Sequence, residues 1–305
     1  MARPALAALL GVAVLSAGCG GGGSSSPPTT ATTSKPKPRL SVTRIGSLPQ
    51  SFSKASAAVL PGGRLMVLGG YPGAGSLDAI LVGPPNRLRV VGHLPQPTHD
   101  AAAAAVGGSV YLFGGGDTTS MPSVVRVDPG TGSAAEVPAL GEPLSDLGAV
   151  ALGGKPYLVG GFTGTQFATA ILRYRPQGAA KVVARLPTGT RYAGVAALGQ
   201  TIYVAGGLTT SGATNAIYAV SLDGTVRRIG TLPAPEDHAA LAALGGTLYL
   251  IGRRQVLAID PATGKVTAVT RLPAYLSDPT ATTVGNRIVI AGGGTNGVWA
   301  LGRSG

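Results

Sequence analysis

The sequence has a single cysteine, Cys19, which excludes any disulfide within the chain. Aromatic residues make up only 5% and charged residues only 12%. Acidic residues are the scarcer sign: 12 Asp and Glu stand against 24 Lys and Arg, a formal charge of +12. The basic residues are scattered, with only short pairs at Arg227-Arg228 and Arg253-Arg254. Nucleic-acid binders concentrate charge on one face and interleave aromatics that stack on bases. Neither feature is present, so no nucleic-acid partner is expected, and the charge implies only a general attraction to anionic surfaces. The three histidines, His93, His99 and His238, have no zinc-ligand spacing, so no metal is expected. The chain has no Gly-x-Ser-x-Gly elbow and no phosphate loop ending in Lys-Ser or Lys-Thr. No cofactor follows from the sequence.

Glycine, by contrast, is abundant, at 49 residues. Gly-Gly pairs close short apolar strands at Gly69-Gly70, Gly114-Gly115, Gly160-Gly161, Gly206-Gly207 and Gly292-Gly293, with a degenerate copy at Gly252-Arg253. Successive copies are 45, 46, 46, 46 and 40 residues apart. A period in this range signals stacked or radial repeats. Within one unit, a first strand ends near Val106, Gly107-Gly108 forms a turn, and a second strand runs to Phe113. A polar loop with Asp117, Thr118 and Thr119 follows, then a strand to Val127, an Asp128-Pro129-Gly130 turn and a fourth strand to Val137. The second strands are apolar on both faces, as expected for sheets sandwiched between other sheets.

Four strands per unit repeated radially make a β-propeller. The units resemble the kelch repeat: an aromatic-containing strand ending in Gly-Gly, a variable loop, a strand ending near Asp-Pro, and a final strand before Leu-Pro. Most units lack the tryptophan of that family's fourth strand. The expected fold is all-β, a six-bladed propeller over residues 40–305. The sixth unit runs out after its third strand at Leu301, while Leu40-Ser41-Val42-Thr43-Arg44-Ile45-Gly46 resembles a fourth strand. The amino-terminal strand is therefore expected to complete the last blade, removing the exposed edges of an open array. Galactose-oxidase-like members of the kelch group use copper and a cysteine cross-linked to tyrosine, and with Cys19 alone that chemistry is excluded.

The amino terminus carries an address. Arg3 precedes an apolar run over residues 5–15 that is too short to span a bilayer as a mature helix. Leu15-Ser16-Ala17-Gly18-Cys19 resembles the lipobox of bacterial lipoproteins, with Ser16 where an aliphatic residue is usual. The resemblance implies a signal peptide over residues 1–18, lipidation of Cys19, and a location outside the cytoplasmic membrane or in a periplasm. Residues 19–39, rich in Gly, Ser, Thr and Pro, read as a flexible linker.

Counting eleven residues back from the aromatic position of the second strands gives equivalent residues Asp100, Asp146, Tyr192, His238 and Asp278, joined by Lys54. Their neighbours include His99, Arg191 and Asp237. These nine residues are expected to form a polar collar at one mouth of the channel, serving either as turn caps or as a ligand site. Because His99-Asp100 and Asp237-His238 are sequence neighbours on strands, any working pair is expected to form across blades. The leading expectation is a non-catalytic, monomeric module that binds a protein or glycan. The alternative, drawn from six-bladed kelch enzymes, is a sugar epimerase or mutarotase, and it rests on fold analogy.

Overall fold

Beyond its first residue, the second strand of each repeat is apolar because both of its faces meet a neighbouring sheet. In the computed structural model, which describes residues 40–176 and 178–303, Ser109–Phe113 is buried along its whole length. The leader and linker expected over residues 1–39 lie outside the described residues.

Six antiparallel blade sheets follow one another along the chain, with a small hairpin, Leu208–Thr209 with Gly212–Ala213, inside blade four. Blade one is Ser56–Leu60, Arg64–Leu68, Ala79–Gly83 and Arg89–His93. Blade two is Ala102–Val106, Ser109–Phe113, Val124–Val127 and Ala134–Val137. Blade three is Gly148–Leu152, Lys155–Val159, Ala170–Arg175 and Gly178–Arg185. Blade four is Gly194–Leu198, Thr201–Ala205, Ala216–Ser221 and Val226–Thr231. The first strand of each blade touches the first strand of the next, and the series closes on itself, so these strands ring a central axis. The core is correspondingly divided, with one apolar cluster filling each gap between blades. Tyr174 and Phe113, for example, meet between blades two and three.

The Gly-Gly pair is the clip between blades. A Cβ on Gly160 would collide with the carbonyl oxygen of Thr190, which belongs to the connection into the next blade. That same carbonyl accepts a 2.8 Å hydrogen bond from the amide of Gly161. Gly160 also has φ 60°, the left-handed region that favours glycine. The same amide-to-carbonyl clip joins Gly70 to Thr98, Gly115 to Leu144 and Gly207 to Glu236.

The expected closure is present. Leu40–Phe52 pairs antiparallel with Thr295–Arg303, with Val42 opposite Leu301, and completes blade six beside Pro279–Val284 and Arg287–Gly292. The strand is longer than the sequence suggests, continuing to Phe52 and leading directly into blade one.

Blade five departs from the pattern. Its second and third strands are one continuous element, Thr247–Ile259, bent at Arg253, where φ is 53°. The first half pairs with Ala240–Leu244 and the second with the outer strand Val266–Leu276. The long loop of the other blades is missing there, which accounts for the short interval of 40 residues.

Candidate functional site

Where each first strand leaves the axis mouth, one residue takes the left-handed conformation. These residues are Lys54, Asp100, Asp146, Tyr192, His238 and Asp278, with φ between 50° and 57°. Asp and His tolerate this region better than most residues, whereas Lys and Tyr enter it rarely. A closed circle of backbone hydrogen bonds holds them there. Each of the six amides donates to the carbonyl of its counterpart in the preceding blade, from Lys54 to Asp278 around to Asp278 to His238, at 2.7–3.2 Å. Strained backbone persists where its surroundings over-determine it, and here every blade holds the next.

The conformation turns the side chains toward one another, and they pair across blades. Lys54 Nζ lies 2.9 Å from Asp100 Oδ2, joining blades one and two. The Arg191 guanidinium meets Asp146, joining blades three and four. His238 Nδ1 lies 2.6 Å from Asp278 Oδ1, joining blades five and six. The Tyr192 and His238 rings overlap with centroids 3.9 Å apart, and Lys54 Nζ sits 5.5 Å from the Tyr192 centroid. Arg191 is enclosed by Phe162, Phe167 and Tyr192, with its Cζ 4.5–5.4 Å from their centroids. Its terminal nitrogen also donates to the Tyr192 hydroxyl. His99 Nε2 lies 3.5 Å from Asp100 Oδ2, so the two sequence neighbours converge rather than point apart. Asp237 stands away from this constellation, where Arg253 bonds to it at 3.3 Å and to Glu236 at 2.8 Å.

Burial shapes the electrostatics. Asp146 is pushed up to about 6, first by burial and then by the neighbouring Asp100 charge, against the opposing pull of Arg191. Burial also raises Asp100, with Lys54 opposing. His238 loses some affinity for its proton through burial, but the bond to Asp278 outweighs this and raises it. Burial and the nearby Lys54 charge lower His99. Tyr192 is raised, chiefly by burial. Among the described residues, no group of three or more His, Cys, Asp or Glu is placed to hold a metal.

Two spaces adjoin the collar. One is axial, about 180 Å³, bounded by the six collar residues and the alanines that follow them. It continues into an alanine-walled channel of about 380 Å³, which Ala57, Ala103, Ala149 and Ala281 also line. The other lies off the axis. This chamber of about 360 Å³ is bounded by His99, Asp117, Thr118, Thr119, Ser120, Ser145, Phe162, Arg191 and Tyr192. It gathers several hydroxyls, an aromatic face and a guanidinium around one opening.

The chain is similar in fold to YjhT. The solved structure described as "Structure of YjhT" superposes with a TM-score of 0.73 over 84% of this chain and 96% of that one, at 15% identity. At that identity the YjhT likeness extends to the fold alone. No family model matches the sequence, and no curated protein matches it significantly.

Eight of the nine expected collar residues therefore converge, and Asp237 does not. The polar loop with Asp117, Thr118 and Thr119 forms part of the chamber's outer wall, whose aromatic part, Phe162, the collar count does not reach. Its signal lies one residue past each Gly-Gly, where Tyr71, Gly116, Phe162 and Leu208 bridge to Ser53, His99, Ser145 and Arg191, the residues just before the collar positions. Tyr71 and Phe162 are thus readable as mouth aromatics once the repeats are aligned that far.

Proposed function

We propose that this protein is a rigid, extracytoplasmic binding module, held at the membrane through a lipid on Cys19, that takes a glycan unit at the propeller mouth. The observation that carries this reading is the off-axis chamber. Its hydroxyls at Thr118, Thr119, Ser120 and Ser145 suit a polyhydroxylated ligand, and Phe162 offers an apolar face for a sugar ring. Its volume of about 360 Å³ falls at the small end of small-molecule sites. The mutual pairing of Lys54 with Asp100, Arg191 with Asp146 and His238 with Asp278 favours binding over catalysis, since charges already engaged make a preformed wall.

A second reading, an exported sugar epimerase or mutarotase, is favoured by one observation. Asp146, pushed up to about 6 beside Asp100, titrates near the pH at which a general acid or base works best. A glycan array and an aldose mutarotation assay on the purified full-length protein separate the two. Binding without turnover supports the module. Mutarotation that disappears in Asp146→Asn supports the enzyme. Silence in both removes the glycan reading and leaves a protein partner.

A further inference from the structure

The short loop of blade five opens a second concave site, far from the collar in its chemistry. Here the chain passes from Gly252 through Arg253 directly into the third strand, and the outer strand Val266–Leu276 is the edge of its sheet. A hollow of about 670 Å³ results, lined by Arg253, Arg254, Gln255, Thr270, Arg271 and Tyr275 together with the small apolar Ala268 and Val269.

The hollow contains three arginines and no carboxylate. Arg253 is occupied by Glu236 and Asp237 on its other side and so fixes the wall. Arg254 and Arg271 are exposed and have no acidic partner within ion-pair distance among the described residues. Arg271 stands opposite Gln255 in the strand register, so a guanidinium and an amide project side by side from the same sheet face. Tyr275 is 52% exposed, an unusual state for an aromatic in a chain with so few. Its position, three residues after the Leu-Pro leucine, is held in the other blades by Ser51, Pro97, Pro143, Gly189 and Pro235. The tyrosine is therefore peculiar to the blade that also lost its loop.

We propose that this hollow is a binding site for a carboxylate-bearing polysaccharide. Planar guanidinium groups match carboxylates with paired hydrogen bonds. The exposed Tyr275 ring supplies a platform for a sugar ring; the Gln255 amide nitrogen already donates to Glu236 at 3.3 Å, so its oxygen and Thr270 supply neutral hydrogen bonds. Spacing along an open flank suits a chain of acidic sugars better than a single small anion. The site shares no residue with the mouth chamber and does not depend on it.

The test is titration calorimetry of the purified full-length protein with polygalacturonate, with neutral dextran as the uncharged control. Polygalacturonate is expected to bind and dextran not to. The double variant Arg254→Ala/Arg271→Ala should weaken binding at least tenfold, and Tyr275→Ala severalfold. A charge-matched control, Arg64→Ala/Arg89→Ala, removes two exposed arginines from blade one and should leave affinity unchanged. Equal weakening by both double variants would reduce the effect to the chain's general positive charge and overturn the proposal. Undiminished binding in Arg254→Ala/Arg271→Ala, equal binding of dextran, or no binding of polygalacturonate would overturn it too. All the substituted side chains are exposed, and the circular dichroism of each variant confirms its fold.

Discussion

Two glycines of blade three separate the clip from ordinary turn strain. Gly153 and Gly160 have nearly the same backbone, with φ 57° and 60°. A Cβ on Gly153 would meet nothing within 4 Å, whereas one on Gly160 would collide with the Thr190 carbonyl of the next connection. Gly153→Ala should therefore lose only the left-handed penalty of an L-residue, about 1–2 kcal/mol. Gly160→Ala carries that penalty and forces the Thr190 connection outward, an overpacking term of about 1–3 kcal/mol. It also disturbs the Gly161-to-Thr190 hydrogen bond, whose loss adds about 1 kcal/mol. The second variant should thus be less stable than the first by about 2–4 kcal/mol. In a domain of this size that is a gap of roughly 4–7 °C in Tm. Urea titration and thermal melts of both variants measure it. Equal losses would refute the argument, because they would mean that the paired glycines answer to backbone conformation alone and do not clip blade to blade.

Further outcomes follow from the collar, the closure and the leader. Asp146 rises from the usual 3.8 to about 6 on folding, so the folded state holds the extra proton between those values. Its contribution to stability should then be greatest at the acid end and decline by up to about 3 kcal/mol as pH climbs from about 4 to 6. Melts across this range in Asp146→Asn should lose most of that slope, and an unchanged slope would contradict the assignment. His238, also raised, should add a further decline above its ordinary 6.5, removed in His238→Gln. Deleting residues 40–46 strips the ladder from residues 298–303 together with the half-buried Leu40, Val42 and Ile45. It should cost about 5 kcal/mol or more and promote self-association through the exposed edge, seen as lower Tm and larger species on gel filtration. Cys19→Ala should release the protein from membranes or stall its processing, and fractionation showing normal membrane retention would remove the anchor.

Much of the fold was legible because its constraints are periodic. A blade between two others must bury both faces, and the clip places glycine at the same position in four of the blades, so the repeat length and strand order are visible in the text of the chain. The closure was legible from a count that left blade six one strand short. The collar was legible as positions, since equivalence under the repeat is a matter of register. The partners of its side chains were not, because they depend on a left-handed backbone that neither Lys54 nor Tyr192 advertises. His99 and Asp100 illustrate this: strand alternation points them apart, but the positive φ at Asp100 turns its carboxylate back to His99. Asp237 escaped for another reason. Its carboxylate is claimed by Arg253, which reaches it only because blade five lacks a loop. The chamber wall at Thr118 and Thr119 comes from the loops that vary between repeats, where periodicity carries no information.

The central claim is that the off-axis chamber binds a glycan unit, and a glycan array repeated with three variants tests it directly. The account predicts selective binding by the wild type, lost at least tenfold in Arg191→Ala and in Phe162→Ala but retained in Arg254→Ala/Arg271→Ala. Binding that survives both chamber variants, or that vanishes only with the blade-five arginines, would contradict it.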